Sequence, residues 1–140
     1  MSRQIFVNFP VSNLAEATAF YEAVGAQKNP MFSDDTASCM VFTDTIYVML
    51  LTHEKFRQFT PKSIADARAV SEVLICISAA EKQEVDQFIT KAVAGGGRAD
   101  PSPVQDYGFM YGRSFEDLDG HIWEVMWMDM EAAKQAMPQE

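Results

Sequence analysis

The sequence has few of the residues that mark secreted or nucleic-acid-binding proteins. Its two cysteines, Cys39 and Cys76, lie in apolar runs without C-x-x-C spacing. We therefore predict no disulfide framework and expect two buried thiols in a reducing compartment. Basic residues are also scarce, since 11 Lys and Arg stand against 20 Asp and Glu, giving a formal charge of −9. That balance argues against a nucleic-acid partner, whose phosphates need basic side chains.

Long hydrophobic runs are absent as well. No stretch is long enough to cross a bilayer, and the N-terminal residues lack the apolar segment of a secretion signal. We therefore expect no membrane association and a cytoplasmic protein. A length of 140 residues predicts a single domain, 1–140, that buries its core without crosslinks.

A strand followed by a helix is predicted near the N-terminus. Residues 5–11 alternate apolar and polar side chains as a strand does. Asn13 and Glu16 then form a capping-box-like pair at the start of a helix, and Gly25 supplies its stop.

The same pattern occurs again in the second half of the chain. Residues 73–77 are predicted to be a strand, Ser78 and Glu81 a capping box, and the glycines at 95–97 the end of the following helix. Further strand-like runs follow each helix: 31–32, 39–43 and 46–51 in the first half, and near Arg98, 109–115 and 122–128 in the second.

Both halves are therefore interpreted as β-α-β-β-β modules produced by an internal duplication. The first module covers about 4–53 and the second about 72–128. A connector at about 54–71, with a short helix around 55–59, separates them, and a tail covers 129–140.

The last strand carries one carboxylate among apolar side chains. Asp117 to Gly120 form an Asp-Gly turn, and residues 122–128 follow as an apolar strand interrupted by Glu124. A lone buried carboxylate is costly, so Glu124 must be solvated, paired or bound to a ligand. We therefore expect this strand to border a cavity.

Three features together resemble the vicinal oxygen chelate superfamily: the duplicated modules, the opening Phe6-Val7-Asn8-Phe9-Pro10-Val11, and the closing Asp117-Leu118-Asp119-Gly120-His121-Ile122-Trp123-Glu124. That superfamily includes glyoxalase I, extradiol dioxygenases, and fosfomycin and bleomycin resistance proteins. Within it, the chain is most similar to small bacterial proteins called predicted lactoylglutathione lyases. The resemblance implies an α+β fold of the glyoxalase/bleomycin-resistance/dihydroxybiphenyl-dioxygenase type, in which two tandem modules form curled mixed sheets around a cup.

The resemblance also implies a divalent metal held by the first and fourth strands of each module. The matching positions in this sequence are Phe6, Met49, Glu72 and Glu124. Phe6 and Met49 offer no hard ligand, so only Glu72 and Glu124 remain as candidate metal ligands, and the cofactor stays open. With two histidines in the chain, an iron triad of two histidines and a carboxylate is not expected.

Strand alternation places Glu72 and Glu124 on the cup side, where two carboxylates could act in acid-base catalysis. The alternative is that Glu72 lies in solvent while Glu124 pairs with Arg113 or a tyrosine. An ion pair of Arg113 with Asp117 is equally open. The predicted substrate-binding side chains are Asn8, Tyr47, Met49, Tyr107, Phe109, Tyr111, Arg113 and Met126.

Two functions follow as hypotheses. The first is a glyoxalase I-like lyase or isomerase acting on a small metabolite through an incomplete metal site, with Glu124 and Glu72 as its catalytic pair. The alternative is a non-catalytic, drug-sequestering protein of the bleomycin-resistance type. The expected partner is a small-molecule ligand, and the resemblance also implies a homodimer.

Overall fold

The computed structural model describes residues 2–136 as an α+β protein. The chain forms two compact units, which meet in sequence between Val70 and Ser71. Each unit contains one β-α-β-β-β module with a mixed sheet, so the predicted fold class is confirmed. Of the predicted tail, residues 130–136 form a helix, and residues 137–140 lie outside the described part of the chain.

The first unit has a four-stranded sheet in the order β1-β4-β3-β2. The pairing of β1 with β4 is parallel, and the other pairings are antiparallel. Its elements are β1 (Ile5–Val11), α1 (Leu14–Ala23), β2 (Gln27–Asn29), β3 (Ala37–Val41), β4 (Ile46–Thr52) and α2 (His53–Arg57).

The second unit repeats this topology in the order β5-β9-β8-β6, with the short β7 also paired to β8. Its first strand again pairs in parallel with its last. Its elements are β5 (Ile75–Ser78), α3 (Lys82–Ala94), β6 (Arg98–Ala99), β7 (Gln105–Asp106), β8 (Met110–Glu116), β9 (Ile122–Met128) and α4 (Met130–Ala136). No helix among the described residues is long and apolar enough to cross a membrane.

Local signals fix the ends of the two long helices. Asn13 caps α1, because its Oδ1 accepts a hydrogen bond from the Glu16 N–H at 3.0 Å. Gly25 follows α1 with a φ of 108°, and Gly96 follows α3 with a φ of 100°. Glycine adopts this left-handed conformation without steric cost, so the predicted stops are confirmed.

The core of the second unit lies between its sheet and α3. Trp123 and Val125 of β9 are completely buried. The ring of Phe115 on β8 stacks on Trp123 at 6.3 Å and on Phe88 of α3 at 6.3 Å. Glu124 lies between Trp123 and Val125 in sequence, so alternation directs it to the opposite face of the sheet.

Two local predictions in the first unit are wrong or shifted. Met31 and Phe32, expected to be a strand, belong to a 3-10 turn at Pro30–Phe32, and their side chains are 81% and 63% exposed. Asn29 caps this turn, since its Oδ1 accepts from the Met31 N–H at 3.0 Å, and Pro30 has no N–H to offer a sheet. The connector helix, expected at 55–59, lies at 53–57.

The start of the second module also differs from the prediction. Ser78 does not cap a helix, because it is the last residue of β5 and α3 begins at Lys82. The Glu84 carboxylate instead accepts from the Ala80 N–H at 3.3 Å. The first strand begins at Ile75, so Glu72 is an exposed residue of the preceding coil and not a strand residue.

Candidate functional site

The turn before β9 sets the position of Glu124. The Asp117 side chain is buried, and its Oδ1 accepts from the backbone N–H groups of Asp119 at 3.0 Å and His121 at 2.9 Å. Gly120 takes a φ of 92°, which favours glycine. These bonds close the β8-β9 hairpin and fix the register in which Glu124 stands opposite Ser114.

Three polar side chains form a row across the sheet. Glu124 on β9 pairs with Cys76 on β5 on one side and with Ser114 on β8 on the other. Directly paired residues project from the same face of a sheet. The row therefore brings a thiol, a carboxylate and a hydroxyl together on the face opposite α3.

This row lines a pocket of about 180 Å³ that lies entirely within the second unit. Its walls combine apolar and polar side chains from β5, β8, β9 and the segment before β8. The lining residues are Cys76, Ser102, Pro103, Gln105, Met110, Gly112, Arg113, Ser114, Glu124, Val125 and Met126. The prediction that Glu124 borders a cavity is thereby confirmed.

Glu124 is half-buried in this pocket and has no hydrogen-bond donor or ion-pair partner among the described residues. Its negative charge acts on the thiol beside it. Burial raises the pKa of Cys76, and the Glu124 charge raises it further. Cys76 is therefore a neutral thiol near pH 7, and Glu124 is a carboxylate with two acceptor oxygens directed at the pocket.

Ser114 holds one wall of the pocket in place. Its hydroxyl oxygen accepts from the Ser102 N–H at 3.0 Å, and its backbone carbonyl accepts from the Asp100 N–H at 2.8 Å. Asp100 takes a φ of 52°, a left-handed conformation that Asp tolerates better than most residues. The segment leading to Ser102 and Pro103 is thus fixed against β8.

Arg113 is fully engaged by two carboxylates. Its Nε and Nη2 donate to Asp100 at 3.0 and 2.7 Å, and its Nη1 donates to Asp86 of α3 at 2.9 Å. The bonds to Asp100 raise the pKa of Arg113 above its usual value. Arg113 therefore pairs with neither Asp117 nor Glu124, the two partners considered from the sequence.

Asp86 also binds Tyr111. The Tyr111 hydroxyl donates to Asp86 Oδ1 at 2.7 Å. Hydrogen bonds from Tyr111 and then Arg113 lower the pKa of Asp86, and the same bond to Asp86 raises the pKa of Tyr111. The group therefore joins α3 to β8, and the positive charge of Arg113 is offset by Asp86 and Asp100 rather than offered to the pocket.

The remaining predicted substrate-binding residues of the second unit are spread over this region. Met126 and Arg113 line the pocket, whereas Tyr107, Phe109 and Tyr111 are not part of the described lining. The exposed ring of Tyr107 stacks on Phe109 at 6.2 Å. Their assignment to ligand binding remains a prediction.

The predicted residues of the first unit form a second, related row. Asn8 on β1 pairs with Met49 on β4, at the position that Cys76 and Glu124 take in the second unit. Phe6 pairs with Tyr47, and their rings stack at 4.5 Å. The Asn8 amide donates only to the Phe6 carbonyl, at 3.4 Å, so it adds an exposed polar group to an otherwise apolar surface.

The residues do not fit the metal site that the resemblance implies. Phe6 and Met49 have no ligand atoms suited to a hard metal, and Glu72 lies in the coil before β5. Among residues 2–136, no group of three or more His, Cys, Asp or Glu side chains is arranged to hold a metal ion. Glu124 is the only one of the four family positions that places a carboxylate on a strand.

Sequence reasoning missed several members of the pocket. Strand alternation places Cys76 on the cup side, as observed, but it was expected to be buried like Cys39 and is instead exposed in the pocket. Ser102, Gln105 and Ser114 were not singled out. For Ser114 a signal exists, because the hairpin turn at 117–120 places it opposite Glu124. For Ser102 and Gln105 the irregular segment between β6 and β8 carries no periodic signal.

Comparison with solved structures identifies the class of fold. A hypothetical protein from S. aureus matches with a TM-score of 0.73 and 26% identity over 91% of this chain and 94% of that one. A glyoxalase/bleomycin resistance protein/dioxygenase family enzyme from Burkholderia phytofirmans matches with a TM-score of 0.72 and 19% identity over 91% and 99%. The fosfomycin resistance protein FosX from Listeria monocytogenes matches with a TM-score of 0.65 and 17% identity over 94% and 97%.

These likenesses define an α+β protein of the glyoxalase/bleomycin-resistance type. The chain has the fold of the vicinal oxygen chelate superfamily, and the resemblance predicted from the sequence is confirmed at that level. Comparison with protein-family models found no match. Comparison with curated protein sequences found no match either.

Proposed function

We propose that the protein is a glyoxalase-like lyase or isomerase in which Glu124 acts as general base on a small metabolite. The observation that carries the proposal is the Glu124 carboxylate, which faces a pocket and has no donor among the described residues. A carboxylate in this position is free to accept a proton from a bound ligand. The adjacent thiol of Cys76, whose pKa is raised, does not compete as a base.

The volume of the pocket limits the size of the substrate. Its volume of about 180 Å³ is below the range of about 300–1,000 Å³ typical of sites for drug-sized ligands. A metabolite of a few heavy atoms fits within it, whereas a glutathione conjugate would extend beyond it. A lactoylglutathione lyase activity would therefore place only the reacting end of the conjugate at Glu124.

Exchange of a carbon-bound proton with solvent tests the role of Glu124 directly. A general base that removes a proton from carbon beside a carbonyl will introduce deuterium when the reaction runs in D2O. We expect exchange into small hydroxyketones or into the hemithioacetal of methylglyoxal and glutathione, measured by proton NMR. Glu124→Gln should reduce the rate by about a hundredfold or more.

Glu131→Gln is the matched control, because Glu131 lies on the exposed side of α4 and outside the pocket. It should exchange deuterium at the wild-type rate. Circular dichroism of both variants establishes that they are folded. Equal exchange by Glu124→Gln and wild type would refute a catalytic role for Glu124.

A metal-dependent version of this activity is tested separately. Elemental analysis of the purified protein and thermal midpoints measured with nickel, zinc, manganese or magnesium report on metal binding. Since the described residues offer no group of three ligands, we expect no stoichiometric metal and no shift in the midpoint. A rise in the thermal midpoint with metal that disappears in Glu124→Gln would instead support a metal-dependent activity.

The second candidate is a non-catalytic protein that sequesters a small compound in the same pocket. Its support is that residues 2–136 offer no group of three metal ligands, whereas the resemblance to the superfamily implies a bound metal in its enzymes. Ligand-dependent stabilisation without deuterium exchange or turnover favours this candidate. Turnover that is lost in Glu124→Gln favours the enzyme.

We further propose that the protein acts as a cytoplasmic homodimer with no nucleic-acid or membrane partner. The edge strand β1 presents two exposed apolar side chains, Ile5 and Phe6, which are 57% and 49% exposed. Exposed apolar edges of this kind favour association. Light scattering after size-exclusion chromatography should give the mass of two chains, and a mass of one chain at micromolar concentration would exclude the dimer.

A further inference from the structure

The charge of the pocket comes from a single carboxylate that has no ion-pair partner among the described residues. Among the described lining residues, only Glu124 and Arg113 carry a formal charge. Arg113 donates its hydrogen bonds to Asp86 and Asp100, so its positive charge is offset by two carboxylates. Glu124 has no such partner. The pocket therefore presents a net negative charge to a ligand.

The other groups that line the pocket do not compensate for this charge. The Ser114 hydroxyl is buried and bonded to Ser102. Cys76 is a neutral thiol, because burial and the Glu124 charge raise its pKa. Met110 and Met126 supply flexible, polarizable apolar surface in the same pocket, toward the end of β9 from the carboxylate. The arrangement is one half-buried anion without a counter-charge, beside apolar methionine surface and the neutral polar groups of Ser102, Gln105 and Ser114.

We propose that the ligand of this pocket is a small organic cation, with an ammonium or amidinium group on a short apolar body. Its charged nitrogen donates to the Glu124 carboxylate, and its body packs against Met110 and Met126. This assignment rests on the pocket and on the role of Glu124 described above, and it specifies the substrate class for the enzyme and the ligand class for the sequestering protein.

Electrostatics discriminates between classes of ligand. An anionic ligand would place a like charge beside Glu124 in a partly desolvated site, which is unfavourable. A neutral ligand of the same size would remove water from Glu124 without supplying a positive charge to compensate. A cation forms a charge-assisted hydrogen bond. The formal charge of −9 on the chain also raises the local concentration of cations.

Three probes of similar size and different charge test the assignment: n-butylammonium, 1-butanol and butyrate. Binding to the full chain is followed by proton-nitrogen NMR at low salt, using shifts of the amides of β5, β8 and β9. We expect saturable shifts with n-butylammonium, at least about tenfold weaker binding of 1-butanol, and no binding of butyrate. Raising the salt concentration should weaken the binding of n-butylammonium.

Glu124→Gln keeps the shape of the side chain and removes its charge, so it should bind n-butylammonium at least about tenfold more weakly. Glu131→Gln should bind it as wild type does. If Glu124→Gln does not fold, the order of the three probes on wild type decides the question. Equal binding of n-butylammonium and 1-butanol, or tighter binding of butyrate, would overturn the assignment.

The outcomes separate this inference from the proposed function. Deuterium exchange into neutral hydroxyketones, together with no preference for n-butylammonium, would support Glu124 as the base and refute the assignment of a cationic ligand. Selective binding of n-butylammonium, without exchange into any carbon acid, including amino ketones, would support the cationic ligand and refute the role of Glu124 as base. Binding of n-butylammonium that does not depend on Glu124 or on salt would also refute the assignment of a cationic ligand at Glu124.

Discussion

Glu124 and Cys76 stand opposite each other on paired strands, and the carboxylate changes the chemistry of the thiol. Burial is the larger cause of the raised pKa of Cys76, and the charge of Glu124 is the second. Since only the thiolate is a strong nucleophile, Cys76 should react slowly with alkylating reagents although it is exposed. A change in its reactivity when Glu124 is neutralised therefore reports the effect of the Glu124 charge.

We predict that Glu124→Gln accelerates the alkylation of Cys76 by iodoacetamide near pH 8. Removing the negative charge lowers the thiol pKa and so increases the thiolate fraction and the rate of alkylation. Mass spectrometry of the modified peptide measures the rate. Cys39 is buried and serves as an unreactive reference in the same sample.

Glu131→Gln controls for the loss of a charge elsewhere on the unit, and its Cys76 should react at the wild-type rate. A Glu124→Gln variant that reacts more slowly than wild type would show that Glu124 does not suppress the thiolate. Such a result would also remove the argument that Glu124 is negatively charged in the pocket.

Among the elements, α3 and β8 are joined by a small charged group rather than by apolar contacts alone. Asp86 of α3 accepts hydrogen bonds from Tyr111 and Arg113 of β8. These bonds lower the pKa of Asp86, and the bond between Tyr111 and Asp86 raises the pKa of Tyr111. The stability of this connection between α3 and β8 should therefore depend on pH in both the acidic and the alkaline range.

We predict that the free energy of unfolding falls at both pH extremes. The contribution of Asp86 is present above about pH 3.9, the usual carboxyl value, and is lost as the pH falls through its lower folded value. The contribution of Tyr111 is present below about pH 10 and is lost as the pH rises through its raised folded value. Urea unfolding at a series of pH values measures both.

Tyr111→Phe should abolish the alkaline loss that belongs to Tyr111 and reduce the acid loss, because Asp86 loses a donor. Tyr107→Phe is the matched control, since its ring is exposed and stacks on Phe109. If both variants follow the same pH profile, the bond between Tyr111 and Asp86 does not contribute to stability.

Elements with strong local signals were predicted well from the sequence. The bounds of β9 were correct because apolar residues surround a single charge and an Asp-Gly turn precedes them. The cap at Asn13 and the stop at Gly25 were also correct, since each depends on neighbouring residues only. Such signals also carried the main feature of the site, the position of Glu124 beside a cavity.

Two of the errors share a physical cause, which is that pairing between distant residues decides the outcome. The start of β5 is set by its partner β9, so Glu72 was placed on a strand that begins only at Ile75. The partners of Arg113 are Asp86 and Asp100, which no local pattern connects to it. The error at Met31 has a local cause instead, because the cap at Asn29 and the proline at 30 produced a turn despite the apolar character of Met31.

At the scale of the whole molecule, the excess of acidic residues sets the response to salt. With 20 acidic and 11 basic residues, the folded chain repels itself. We predict that raising the salt concentration from about 20 mM to about 300 mM increases the free energy of unfolding, because screening reduces this repulsion. Urea unfolding by circular dichroism at each salt concentration measures the effect.

Glu22→Gln provides a matched variant for this prediction. Glu22 is exposed near the end of α1, where a negative charge is unfavourable. The variant should be more stable than wild type at low salt, and the difference should shrink at high salt. A stability that decreases with salt would show that ion pairs outweigh repulsion in this protein.

The parallel pairing of the first and last strand in each unit also sets the order in which the chain can fold during synthesis. β5 pairs only with β9 among the described strands, and β9 leaves the ribosome after the rest of its sheet. Until then β5 has two bare edges, which invite pairing with another nascent chain. A premature stop before Ile122 would therefore leave β5 without its partner and should yield an aggregating fragment rather than a shortened protein.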